Sequence, residues 1–108
     1  MTNSEGWQRV AREGEIEEGQ PFAARLGDKD IVLVRHAGEI FALDGICPHA
    51  YALMADGFMN GAEIECPLHA ACFNIRTGKF LDGPAGTGDL ATYAVRIADG
   101  EVMVKAAA

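Results

Sequence analysis

The stretch Cys47-Pro48-His49 is answered, after sixteen intervening residues, by Cys66-Pro67-Leu68-His69. This pair of segments decides the reading of the chain, because it sets two thiolates and two imidazoles in matched loops. Thiolates favour iron–sulfur clusters and zinc, and imidazole suits iron, zinc or copper. A site with two of each narrows to a mixed-ligand [2Fe-2S] centre or a structural zinc. In an extended loop the Cα atoms of Cys47 and His49 lie about 6–7 Å apart, which suits ligands of neighbouring metals better than two ligands of one tetrahedral ion. Zinc sites usually leave two to four residues between the paired ligands of each half, so the single-residue gap between Cys47 and His49 counts against zinc.

Beyond these four residues the chain resembles a known family. Cys47-Pro48-His49, Glu65-Cys66-Pro67-Leu68-His69 and Phe73-Asn74-Ile75-Arg76-Thr77-Gly78 are similar to the cluster-binding region of Rieske-type ferredoxins. From about Trp7 to Val104 the pattern resembles the small ferredoxins of bacterial aromatic ring-hydroxylating dioxygenase systems. The resemblance implies one Rieske [2Fe-2S] cluster, with Cys47 and Cys66 on one iron and His49 and His69 on the other. It also implies a one-electron carrier with no catalysis of its own, taking electrons from a flavin-dependent NAD(P)H reductase and passing them to a terminal oxygenase. Two other functions fit the same residues. A small Rieske-like subunit of a larger reductase, such as assimilatory nitrite reductase, would copurify stably with a catalytic subunit; a zinc-stabilised interaction module would be colourless.

The 108 residues fit one small domain and leave no room for the separate mononuclear-iron domain of an oxygenase subunit. A net charge of -7 argues against nucleic acid and anionic membranes as partners. Met1 to Arg12 lacks the basic and apolar regions of a leader, and no apolar run approaches the roughly 20 residues of a membrane span, so a cytoplasmic protein is expected. A monomer suits a shuttle that leaves one partner to reach the next. Three cysteines, two of them assigned to the cluster, leave Cys72 unpaired and make no disulfide framework. In the respiratory branch of the resembled family a disulfide ties the two loops; the matching positions here are Ala52 and Leu68.

Short strand-like runs separated by turn signals predict an all-β fold, an antiparallel sandwich or partly closed barrel with a small cluster-binding subdomain. Trp7 to Ala11, Pro21 to Leu26, Ile31 to His36 and Glu39 to Leu43 read as strands, with turns at Gly27-Asp28 and Ala37-Gly38. Thr92 to Ile97 and Glu101 to Lys105 read as a hairpin around Asp99-Gly100. Residues 45–82 read as the cluster-binding insertion into a base formed by residues 1–44 and 83–108. Asn60-Gly61 is expected to turn the chain so that Glu63 to Glu65 leads into the second loop.

Neutral imidazoles lower the negative charge around a cluster relative to four thiolates, which raises its potential into a range of roughly -150 to +300 mV. High-potential relatives place a hydroxyl close after the second histidine, whereas Ala70, Ala71 and Cys72 follow His69 here. The low end of the range is therefore expected. Tyr51, Leu53, Met54 and Leu68 are candidates for an apolar rim around the histidines, with core packing an equal reading for Leu53 and Met54. The resemblance implies a proline that covers the cluster, for which Pro84 is the candidate, with an ordinary turn residue as the other reading. His36 reads as a structural or surface histidine, Cys72 as a small buried thiol, and Arg76-Thr77-Gly78 as a turn. Ala70 replaces the glycine common after the second histidine in the resembled family.

Overall fold

Ile31-Val32-Leu33-Val34 is apolar at every position, and all four side chains are buried. Alternate residues of a strand point to opposite faces, so such a run requires cover on both sides. The computed structural model, which describes residues 6–48, 51–68 and 70–105, supplies that cover with three antiparallel sheets. The strands are β1 (Trp7–Arg12), β2 (Phe22–Leu26), β3 (Lys29–His36), β4 (Glu39–Asp44), β5 (Phe58–Asn60), β6 (Glu63–Glu65), β7 (Cys72–Asn74), β8 (Phe80–Asp82), β9 (Thr92–Tyr93), β10 (Val95–Ala98) and β11 (Glu101–Lys105). They are ordered β1-β11-β10, β2-β3-β4-β9 and β5-β6-β7-β8. Among the described residues the regular structure is strand apart from short 3-10 turns, such as those at Glu13–Glu15 and Met54–Asp56, as expected.

The middle sheet divides the apolar side chains between two cores. Ile31 and Leu33 of β3 join Ile40 and Ala42 of β4 and meet Val102 and Val104 of β11. Val32, Val34 and Leu43 point the other way, toward Ile64, Phe73 and Ile75 and toward Cys47 and Cys66. The two cysteines are thus packed into the second core.

Two hairpins close with two-residue turns whose central residues both have positive φ: Ala37-Gly38 (54° and 82°) and Asp99-Gly100 (53° and 78°). This is the turn geometry that matches the twist of paired strands. The β5–β6 turn is centred one residue later than expected, on Gly61-Ala62, because Asn60 itself pairs with Glu63. The expected strand Thr92 to Ile97 is broken in two. Tyr93 stays with the middle sheet, its hydroxyl donating to Asp44 Oδ1 at 2.6 Å, while Val95 onward pairs with β11. The chain changes sheets at Ala94.

Glu18 pins the β3–β4 turn from outside, accepting the amides of Ala37 at 2.6 Å and Gly38 at 3.1 Å. These two donors, Ala37 first, hold its carboxyl below the ordinary glutamate value of 4.5. A depressed folded-state pKa contributes stability above the unfolded value that is lost as pH falls through the folded one. Stability is therefore expected to decline below pH 4.5, and Glu18→Gln to flatten that part of the curve. Thermal unfolding followed between pH 6 and pH 3 checks this; parallel curves for both proteins would contradict it.

Candidate metal centre

Gly45 begins the first loop. A Cβ there would lie 2.9 Å from the backbone of Asp30 and Ile31, so only glycine lets the chain leave β4 this close to β3. The Gly45 amide donates to Asp30 O at 2.9 Å, and its carbonyl accepts the Met54 amide at 2.8 Å, which closes the loop at its base. Within it the Cys47 amide donates to Ala52 O at 2.9 Å. The second loop joins β6 to β7, and there the Cys66 amide donates to Ala71 O at 2.8 Å. Each cysteine thus bonds to the carbonyl five residues on, and each loop turns through a left-handed residue four positions after the cysteine: Tyr51 (φ 55°) and Ala70 (φ 56°). The two halves share one backbone design as well as one residue pattern.

Cys47 and Cys66 are each 1% exposed and share one core with Met54, Ile64 and Ala71. Burial pushes the Cys66 thiol up to about 11; the Leu68 amide opposes this, while Cys47 and the Glu65 charge add to it. A buried thiol that resists ionisation alone, in the same core as a second buried thiol, fits a centre whose metal charge stabilises both thiolates. His49 and His69, the other two expected ligands, lie outside the described residues.

The apolar residues beside the cysteines separate into two groups. Met54 is fully buried in the core, whereas Tyr51 (91% exposed), Leu68 (50%) and Leu53 (40%) stand open to solvent. Pro48 is also exposed. On the other side Gly83 lies so close to the second loop that a Cβ there would come within 2.8 Å of Ala71 Cα. This sets Pro84 next to that loop, in a turn where Thr87 Oγ1 donates to Pro84 O at 2.5 Å. Arg76-Thr77-Gly78 is the turn expected: Asn74 Oδ1 accepts the amides of Arg76 and Thr77, and Gly78 adopts φ 76°. Its Arg76 also lies 3.6 Å from Glu39 and 4.9 Å over the Phe41 ring, tying the third sheet to the middle one. His36 is half-buried at the end of β3.

Cys72 is half-buried on β7, paired across the sheet with Glu65 on one side and Asp82 on the other. Burial first, then the charges of Glu65, Glu63 and Asp82, push its thiol up, so this is a poorly reactive thiol at neutral pH. Glu65 and its Asn60 partner were missed in the sequence. The alternation Glu63-Ile64-Glu65 places both carboxylates on one face, but the residues opposite them emerge only with the strand register.

Ala70 occupies a backbone region that costs an L-residue about 1–2 kcal/mol. Ala70→Gly relieves this strain, partly offset by the greater freedom of glycine in the unfolded chain. The expected result is a net gain of about 1 kcal/mol in chemical unfolding, with the visible spectrum unchanged; a loss of stability would contradict the loop geometry.

Residues 6–94 match the model of the Rieske [2Fe-2S] domain, and the chain belongs to that family. The match decides the cofactor in favour of one Rieske-type [2Fe-2S] cluster over zinc. Among curated proteins the chain is 42% identical over 102 residues to the ferredoxin component of the naphthalene 1,2-dioxygenase/salicylate 5-hydroxylase systems of Ralstonia sp., covering 94% of this chain and 97% of the relative. Among solved structures the Sphingomonas yanoikuyae B1 ferredoxin superposes with a TM-score of 0.86 at 31% identity, covering 93% of this chain and 98% of that one. The complex of reduced oxygenase and oxidized ferredoxin in carbazole 1,9a-dioxygenase contains a chain that matches with a TM-score of 0.83 at 28% identity, with 94% of each chain covered. Among the described residues no helix is long and apolar enough to cross a membrane.

Proposed function

We propose that this protein is the ferredoxin of an aromatic ring-hydroxylating dioxygenase system, a one-electron carrier between a flavin-dependent NAD(P)H reductase and a terminal oxygenase. The ligand set is Cys47 and Cys66 on one iron and His49 and His69 on the other, in a cluster-binding part formed by residues 45–82 on a base formed by residues 1–44 and 83–108. The protein works as a cytoplasmic monomer without catalysis of its own. The relatives named as ferredoxin components of dioxygenase systems, matched over nearly their whole length, support this reading.

The observation that carries it is the contrast at the metal loops. Cys47 and Cys66 are sealed in the core, while Tyr51, Leu53 and Leu68 of the same loops are exposed. When bound, the cluster accepts and releases one electron with little change in its coordination. The chain's part is to bury the thiolate side away from water and to offer an apolar rim to a partner. Exposed apolar groups of this kind favour brief association through desolvation, as a shuttle requires.

The test is reconstitution with the purified reductase and oxygenase of a naphthalene dioxygenase system. Substoichiometric amounts of this protein should carry electrons between them, giving hydroxylated product at a rate that rises and then saturates with its concentration. A protein that supports no electron flow and purifies only in a fixed complex with a large reductase subunit would overturn the reading. Tyr51→Ala is expected to lower the rate several-fold with the midpoint potential unmoved, since the ring is 91% exposed and contributes to docking rather than folding. An unchanged rate would remove Tyr51 from the docking surface.

A further inference from the structure

The third sheet has one face in the core and one face outside. Met59, Ile64, Phe73 and Phe80 form an inward cross-strand row, and the neighbouring row, Phe58, Glu65, Cys72 and Asp82, faces the other way. Glu65 is the residue immediately before Cys66. Its Oε1 accepts a hydrogen bond from Asn60 Nδ2 at 3.0 Å and lies 4.0 Å from the Cys72 thiol. The carboxylate is therefore half-buried and fixed in place, unlike a freely moving surface charge. Among the described residues none of the ion pairs involves Glu63, Glu65 or Asp82, so no cation on these residues cancels the charge of this face.

We infer that Glu65, held by Asn60, is a built-in negative charge that lowers the midpoint potential of the cluster. This rests on the electron-carrier reading above and deepens it. Reduction adds one electron to the centre and so increases its negative charge. A held carboxylate one residue from a thiolate ligand raises the energy of the reduced state more than that of the oxidised state, and a half-buried charge is screened less than one free in solvent. Glu63 and Asp82 add to this effect from further along the face. The low potential expected from the missing hydroxyl is thus reinforced by an acidic residue placed behind the cluster-binding strand.

The test is a redox titration, followed by visible absorption, of the cluster-loaded wild type, Glu65→Gln, Glu65→Asp and Asn60→Ala. Glu65→Gln keeps the shape and removes the charge. It is expected to favour reduction by up to about tenfold, which is about 59 mV upward for one electron. Glu65→Asp, which keeps the charge, should stay near wild type. Asn60→Ala, which frees the carboxylate to move into water, should shift the midpoint upward by less. Intact spectra with an unmoved midpoint in Glu65→Gln and Asn60→Ala would overturn the inference, as would an equal rise in Glu65→Asp. If Glu65→Gln does not hold its cluster, Asn60→Ala decides. A wild type without a cluster spectrum would overturn the carrier reading itself, so the two failures are told apart.

Discussion

Cys66→Ala is expected to yield a folded but colourless protein with background iron, while Cys72→Ala keeps full colour and iron. Both residues are cysteines of the same strand–loop–strand segment, and only their surroundings distinguish them. Cys66 is sealed against Cys47 within the core, and its free thiol is pushed up to about 11, so it ionises readily only when a metal takes its proton's place. Cys72 faces Glu65 and Asp82 on the outside of the sheet, away from the thiol pair. Iron analysis and visible spectra of the two variants check the contrast. A coloured Cys66→Ala, or a colourless Cys72→Ala, would reassign the ligands.

The largest loss of stability is expected from Phe73→Ala. Phe73 is fully buried at the centre of the second core, opposite Ile64 across the β6–β7 pair, with its ring edge-on to Phe80 at 6.0 Å between centroids. Truncating such a ring typically costs about 3–5 kcal/mol, a large part of the roughly 5–15 kcal/mol that holds a small domain folded. The same core contains Cys47, Cys66 and Ala71, so the cavity opens beside both metal loops. Denaturant unfolding should show the loss, together with faster bleaching of the cluster in air. Phe58→Ala provides the comparison: its ring is 57% exposed on the edge strand, and a change within about 0.5 kcal/mol is expected. Equal effects from the two substitutions would contradict the assignment of the core.

What the sequence disclosed followed the reach of its local signals. Gly after Ala37 and after Asp99 marked two-residue turns, and the run Ile31 to His36 marked a strand, whose cover on both faces emerged only with the fold. The break at Ala94 was hidden, because Thr92 to Ile97 looks continuous and its halves are separated by pairing of Thr92 and Tyr93 with β4 and by the bond from Tyr93 to Asp44, far away in the chain. Leu53 and Met54 are adjacent apolar residues in a loop with no period to sort them; one is exposed and the other fully buried. The two cysteines stood out through their spacing and composition. Glu65 did not, since its significance depends on Asn60, Cys72 and Asp82, which reach it only through cross-strand register. The same holds for the excess of acidic residues, which composition counts but only the fold distributes.

The central claim, that the loops hold a histidine-ligated two-iron cluster which carries single electrons, is tested most directly by low-temperature electron paramagnetic resonance of the dithionite-reduced protein. The predicted result is a rhombic signal with the low average g-value of a cluster bound by both thiolate and imidazole. A silent spectrum from a sample that contains zinc and no iron would contradict it.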